Sequence, residues 1–224
     1  MGINELPCAL VFGGSFDPVH SGHVALAQHF VTLMHPQELR LIPAGQPWQK
    51  KALIATAEQR VAMLKLAMEN EVVDATLIID QREIRRAAQQ QPCYSVDTLT
   101  ELRAEMGQQL ALIFLIGADQ LQNLHTWKDW RQLFILAHIC VATRPGFSID
   151  EHSINKEVAI EWSERRATLQ EIKLTPAGRT FFAPDLAWDV SATDIRRELK
   201  QKQQTTSLIP SKVLDYIQQH HLYR

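Results

Sequence analysis

Residues 8–34 read CALVFGGSFDPVHSGHVALAQHFVTLM. The opening run, Cys8 to Phe12, is apolar without interruption, the pattern of a parallel strand covered on both faces. Gly13 and Gly14 end it at a turn, and from Ser21 to Met34 the apolar residues Val24, Ala27, Phe30, Val31 and Met34 recur at helical spacing. Strand, glycine turn and helix in close succession form the first half of a βαβ unit.

The alternation continues outward from this stretch. Strands are expected near Leu39 to Ile42, Ala75 to Ile79, Leu110 to Ile116, Ile139 to Ala142 and Thr180 to Ala183. Helices are expected near Ala57 to Met68, Val96 to Met106 and Trp130 to Leu136, with shorter or later ones after Asp119, Ser191 and Ser211. Parallel strands need crossovers, which are usually helical and right-handed. The sequence therefore predicts an α/β fold: a Rossmann-like, doubly wound parallel sheet with helices on both faces. Ligands of such sheets lie beyond the carboxyl ends of the strands, so the loops after Phe12, Ile42, Ile79, Ile116 and Ala142 are where chemistry is expected.

The 224 residues contain no linker-like stretch, so one domain over 1–224 is expected. The segment at about 148–176 mixes helical stretches with charges and shows no strand, and it is expected to be a surface insertion. With 46% apolar and 21% charged residues the composition is that of an ordinary globular protein. Three cysteines, Cys8, Cys93 and Cys140, have no paired or metal-like spacing, which points away from disulfides and zinc and toward a reducing compartment. Neither a basic leader before an apolar run nor a span of about 18 apolar residues occurs, so a cytoplasmic protein without a membrane partner is expected. A net charge of -2 provides no general attraction to nucleic acid. A small anionic ligand held by local groups remains open.

The densest chemical signal is GGSFDPVHSGH, residues 13–23. Glycine at 13 and 14 permits backbone angles closed to other residues and lets amides approach a ligand closely. His20 and His23, three apart at a helix start, face one spot where the helix dipole also favours an anion. Each feature alone has an ordinary role: a tight turn, an N-cap by Ser15 or Ser21, solvated histidines. Together at a strand end they point to phosphate. A second element, VSATDIRREL at 190–199, offers Ser191 or Thr193 as a helix cap and Arg196 as a permanent, bidentate positive charge.

The H-x-G-H element after a glycine turn resembles the signature of the nucleotidyltransferase superfamily. The longer string G-G-x-F-D-P-x-H-x-G-H is similar to that of the bacterial nicotinate-mononucleotide adenylyltransferases, and the resemblance extends over nearly the whole chain apart from roughly 148–176. It implies transfer of AMP from ATP to nicotinic acid mononucleotide, giving deamido-NAD and pyrophosphate. In this family the histidines meet the ATP phosphates, so His20, His23 and Arg196 are expected to be catalytic, with Gly13, Gly14, Ser15, Phe16, Ser191 and Thr193 also on ATP. The G-x-D element Gly117 and Asp119 is expected at the ribose, and Asp119 is also a possible N-cap.

On the acceptor side the resemblance implies Asp17, Lys50, Tyr94, Ser95, Trp127, Lys128 and Arg144. Tyr94, Ser95, Asp97 and Thr98 are similar to an S-Y-T-x-D-T-L run near the nicotinate pocket. Trp127 resembles a ring-stacking tryptophan, and Lys128 would offer its backbone amide. PAGQPWQKK at 43–51 departs from the family's usual loop, with Trp48 and Gln49 in place of Pro and His; Lys50 or Lys51 could still reach a phosphate. Mg²⁺ is expected on the ATP phosphate oxygens, without a dedicated carboxylate cage. Adenylyltransfer to nicotinamide mononucleotide or phosphopantetheine stays open, as does a nucleotide-binding sensor without turnover. The phosphopantetheine enzymes carry Thr where this chain has His20. A nucleic-acid-binding module is disfavoured by the charge.

Overall fold

The computed structural model describes residues 5–45, 53–69, 71–72, 74–142, 154–183, 191–201 and 208–224. Among the described residues six strands are formed: β1 (Cys8–Gly14), β2 (Glu38–Pro43), β3 (Thr76–Ile79), β4 (Ala111–Gly117), β5 (His138–Ala142) and β6 (Thr180–Ala183). They pair in parallel in the order β3-β2-β1-β4-β5-β6. The strand order reverses between β1 and β4, so the connections leaving these neighbours diverge to opposite faces and open a crevice at their carboxyl ends.

The described helices are α1 (Ser21–Met34), α2 (Ala57–Met68), α3 (Arg82–Ala88), α4 (Ser95–Met106), α5 (Ala118–Gln122), α6 (Trp130–Leu136), α7 (Lys156–Glu164), α8 (Leu169–Lys173), α9 (Ala192–Lys200) and α10 (Ser211–Gln219). Alternate residues of β1 serve the two faces of the sheet. Leu10 and Phe12 join a core with α1, α2, α9 and α10, whereas Ala9 and Val11 join one with α4, α6 and α7. The apolar stripe predicted for α1 is the buried one. Thr56 starts α2 with a capping box: its Oγ1 accepts from Gln59 N at 3.3 Å while Gln59 Oε1 accepts from Thr56 N at 2.9 Å.

Two features differ from the sequence-based expectation. Helix α3 has no apolar stripe and is anchored by charge instead. Arg82 donates to Asp80 at 2.8 Å and to Glu105 of α4 at 2.8 Å, and Arg40 of β2 donates to the same two carboxylates at 3.1 and 2.7 Å. The segment expected as a surface insertion is, from residue 154 onward, built into the body. Ile154, Val158 and Trp162 are buried in one core and Ile172 in the other. Val158 and Trp162 stand four apart, one helical turn, so a single face of α7 packs inward.

At the amino end of the sheet a polar clamp ties distant segments together. Buried Arg103 donates to the carbonyls of Gly107, Leu110, Leu136 and Pro176 at 2.7–3.0 Å. His138 Nδ1 accepts from Arg179 N at 3.1 Å, which leaves the proton on Nε2 to be donated to Thr175 O at 2.7 Å. Burial, with Arg103 and Arg179 nearby, lowers the His138 pKa from 6.5 to about 4 despite that bond. Among the described residues no helix is long and apolar enough to cross a membrane.

Candidate active site

β1 delivers Gly13 and Gly14 to the edge of the crevice. Both remain in the strand, and the left-handed residue of this turn is Phe16, with φ of 47°. Gly14 is tightly placed: a Cβ there would meet the Phe16 ring at 3.0–3.2 Å and the ring would have to give by a few tenths of an ångström, whereas one on Gly13 would only touch Phe114 at 3.8 Å. The chain reverses at Phe16 because its ring folds back into the core, edge-on to Phe12 at 5.5 Å and to His23 at 5.0 Å. A side chain so enclosed leaves only the Phe16 backbone for a ligand.

Five donors from four places in the chain fix this loop. Arg60 Nη1 of α2 donates to Ser15 O at 2.9 Å, and Arg196 Nη1 of α9 donates to Asp17 O at 2.6 Å. The Asp17 carboxylate accepts from Ile54 N at 2.8 Å, Ala55 N at 3.1 Å and the Tyr223 hydroxyl at 2.6 Å. Asp17, expected on the acceptor side, is therefore turned into the body and 2% exposed. Burial and the adjacent Asp17 carboxylate push the Tyr223 phenol well above its ordinary pKa, so it acts as an O–H donor at any working pH. Burial lowers the Arg60 pKa, and Asp17 is the first of the charges that oppose the shift.

His20 occupies the N-cap position of α1. Its backbone N–H donates to His23 Nδ1 at 3.2 Å, so neutral His23 carries its proton on Nε2 and is a donor there. The two imidazoles stack with centroids 3.7 Å apart and planes tilted by 31°. No acidic residue stands in the first turn of α1, leaving its dipole uncontested for an anion. Ser191 is the cap of α9, accepting from Thr193 N at 3.2 Å, while Thr193 Oγ1 accepts from Arg196 Nη2 at 3.2 Å. Arg196 thus spans Thr193 and Asp17 O and joins the two motifs, which lie about 180 residues apart in sequence.

At the end of β4, Gly117 and not Asp119 holds the N-cap position of α5, and its N–H donates to Gln120 Oε1 at 2.9 Å. Asp119 is exposed, with Oδ1 only 2.6 Å from where a Gly117 Cβ would stand. A side chain at residue 117 would therefore need the exposed Asp119 carboxylate to swing aside.

The residues expected at the acceptor gather at the start of α4 and after α5. Tyr94 and Ser95 begin α4, and Lys128 Nζ lies 4.7 Å from the Tyr94 ring centroid and 3.7 Å from Asp97 Oδ1. Thr98 faces away, accepting from Arg86 at 2.8 Å and donating to Glu83 at 2.9 Å. Trp127 stands edge-on to Phe114 at 6.4 Å, and its buried Nε1 has no hydrogen-bond partner among the described residues. Phe114 is the neighbour that a Gly13 side chain would touch, so one ring separates the tryptophan from the glycine turn. Lys50, Lys51, Trp48, Gln49 and Arg144 lie outside the described residues. Among the described residues no three His, Cys, Asp or Glu side chains are grouped to hold a metal ion.

Arg60 and Tyr223 were not anticipated. Arg60 left a faint signal, a charge on the face of α2 that also carries Met63, Leu64 and Ala67. Tyr223, 206 residues from its partner, left none.

The family model described as cytidylyltransferase-like matches residues 11–198. A protein of Herminiimonas arsenicoxydans named probable nicotinate-nucleotide adenylyltransferase is 50% identical over 217 residues, covering 97% of both chains. One of Dechloromonas aromatica with the same name is 43% identical, covering 96% of both. Among solved structures, the nicotinic acid mononucleotide adenylyltransferase of Plasmodium falciparum complexed with NaAD shares the fold at a TM-score of 0.71 and 16% identity, covering 97% of both chains. The chain belongs to the cytidylyltransferase-like family, in the branch of the nicotinate-nucleotide adenylyltransferases.

Proposed function

We propose that this protein transfers the adenylyl group of ATP to the 5'-phosphate of nicotinic acid mononucleotide, releasing pyrophosphate and forming deamido-NAD. The observation that carries the reading is the Arg196–Asp17 bond, which brings the two phosphate motifs together at the switch point of the sheet. The near relatives carry the name of this activity.

An acceptor phosphate oxygen attacks the α-phosphorus in line; the new P–O bond forms as the bond to pyrophosphate breaks. A phosphate monoester, with a second pKa of about 6, is already largely ionised at pH 7, so neither a protein nucleophile nor a general base is needed. Catalysis then rests on positioning and on donors fixed before the reaction. The Gly13–Phe16 backbone and the start of α1 receive the nucleotide phosphates. His20 and His23 stabilise charge gathering on the α-phosphoryl and leaving groups, and Arg196 with the Ser191–Thr193 helix start holds the β,γ end. Gly117 and Asp119 lie at the ribose. Mg²⁺ arrives with ATP as part of the substrate.

Tyr94, Ser95, Trp127 and Lys128 receive the pyridine ring and its carboxylate; Lys50 and Arg144, outside the described residues, are assigned to the acceptor by family resemblance alone. Asp17 has its carboxylate engaged within the body, so its part is to hold the loop rather than to touch the acceptor. The described cysteines are free, in keeping with a cytoplasmic location.

The test is pyrophosphate release from Mg·ATP with nicotinic acid mononucleotide, nicotinamide mononucleotide and phosphopantetheine offered separately. Strong preference for the first is expected. Preference for another overturns the acceptor assignment, and ATP binding without release from any of them favours a sensor.

A further inference from the structure

We infer that Tyr223 is a positioning residue for the phosphate-binding loop, holding Asp17 and, through Asp17, the alignment of Arg196 with the glycine turn. The inference rests on the adenylyltransferase reading. Tyr223 follows α10, far in sequence from either phosphate motif, yet its side chain is 5% exposed and its hydroxyl reaches Asp17 Oδ1 at 2.6 Å. That short bond from a neutral donor to a buried carboxylate belongs to the strong class of hydrogen bonds.

Asp17 joins three systems. Its carboxylate gathers Tyr223 and the amides of Ile54 and Ala55, and its own carbonyl receives Arg196. It also follows Phe16, where the chain reverses at positive φ. Displacement of the Asp17 carboxylate therefore shifts the carbonyl that Arg196 grips and the backbone leading back to Gly14. Both amides come from a single stretch, residues 54–55, so they restrain the carboxylate from one direction. Tyr223 supplies an anchor from elsewhere in the chain. Preorganised donors lose catalytic power steeply with displacements well under the size of an atom, so the effect belongs in turnover more than in folding.

The test uses the full chain carrying Tyr223→Phe, which deletes one hydroxyl and keeps the buried ring. Turnover is measured per folded enzyme alongside ATP affinity by calorimetry, for the parent, Tyr223→Phe, Asp17→Asn and the double variant. Tyr223→Phe is expected to lower kcat about tenfold and to weaken ATP binding several-fold while the thermal midpoint stays within a few degrees. In the Asp17→Asn background it should add little further loss, a non-additivity that a purely structural role elsewhere would not produce.

Should Asp17→Asn fail to fold, amide exchange of Tyr223→Phe takes its place, with faster exchange expected at Phe16 and in the first turn of α1 but not in α4. Unchanged kcat and ATP affinity in folded Tyr223→Phe overturn the inference, as does a loss fully additive with Asp17→Asn. If the parent releases no pyrophosphate with nicotinic acid mononucleotide, the acceptor reading fails while ATP affinity and amide exchange still decide the role of Tyr223.

Discussion

The two halves of the crevice are built differently. On the phosphate side five donors grip a loop of a few residues, and Arg60, Asp17 and Tyr223, which do much of the gripping, are 1%, 2% and 5% exposed. On the side proposed for the acceptor Tyr94 and Trp127 are half-buried, Lys128 is exposed, and the ties include a cation–π contact at 4.7 Å and an ion pair at 3.7 Å. Contacts of those kinds at exposed sites contribute about 1 kcal/mol or less each. Charge developing at phosphorus needs donors that do not move during the reaction. A flat ring can be received by surfaces that settle onto it. On the proposed function, the phosphate half is expected to set the rate and the acceptor half the choice of substrate.

The largest effect on turnover is expected at His23. His23→Asn is expected to lower kcat by about 10²–10³-fold, the cost typical of one preorganised donor, with a small change in thermal midpoint. Equal losses of turnover and of folded protein would remove His23 from the chemistry.

Next comes acid, which should weaken the body without distinguishing the halves. His138 is neutral when folded, with a pKa of about 4 against 6.5 when exposed, so the unfolded chain binds the extra proton. Its contribution is complete above about pH 6.5 and falls by about 1.4 kcal/mol per unit as pH drops toward 4. Denaturant midpoints across that range, compared with His138→Gln, should show the slope and its loss in the variant.

Gly45→Ala is the third. Its Cβ would stand 2.1 Å from the carbonyl oxygen of Glu83, a backbone atom that cannot swing aside. A loss of about 1–3 kcal/mol is expected in denaturant unfolding, with more effect on acceptor KM than on ATP binding because α3 lies beside α4. Smallest is Trp127→Leu, expected to raise the acceptor KM about tenfold while the KM for ATP holds. A larger effect on ATP than on acceptor would reverse the division of labour.

The same contrast explains what was legible in the sequence. Elements held by apolar periodicity were readable nearly to the residue, as at α1, α2, α6 and β6. Helix α3 was not, because REIRRAA is held by Asp80, Thr98, Glu101 and Glu105 rather than by burial of a stripe. The inward face of α7 was hidden among charges, with only Val158 and Trp162 to mark it.

In the site, His20, His23, Ser191 and Arg196 stood in compact local motifs, whereas Arg60 and Tyr223 act across 45 and 206 residues. Backbone detail was also beyond reach. The glycines announced a turn, yet the left-handed residue is Phe16, and the cap position of α5, one of two roles open to Asp119 in the sequence, is held by Gly117.

The most direct test of the central claim is the ratio of kcat/KM for nicotinic acid mononucleotide to that for nicotinamide mononucleotide, measured in parent, His23→Asn and Trp127→Leu. His23→Asn is expected to lower both values by the same factor and leave the ratio unchanged, while Trp127→Leu shifts the ratio and spares kcat. A ratio altered by His23→Asn, or a Trp127→Leu enzyme that loses turnover at an unchanged ratio, would contradict the separation of rate from choice.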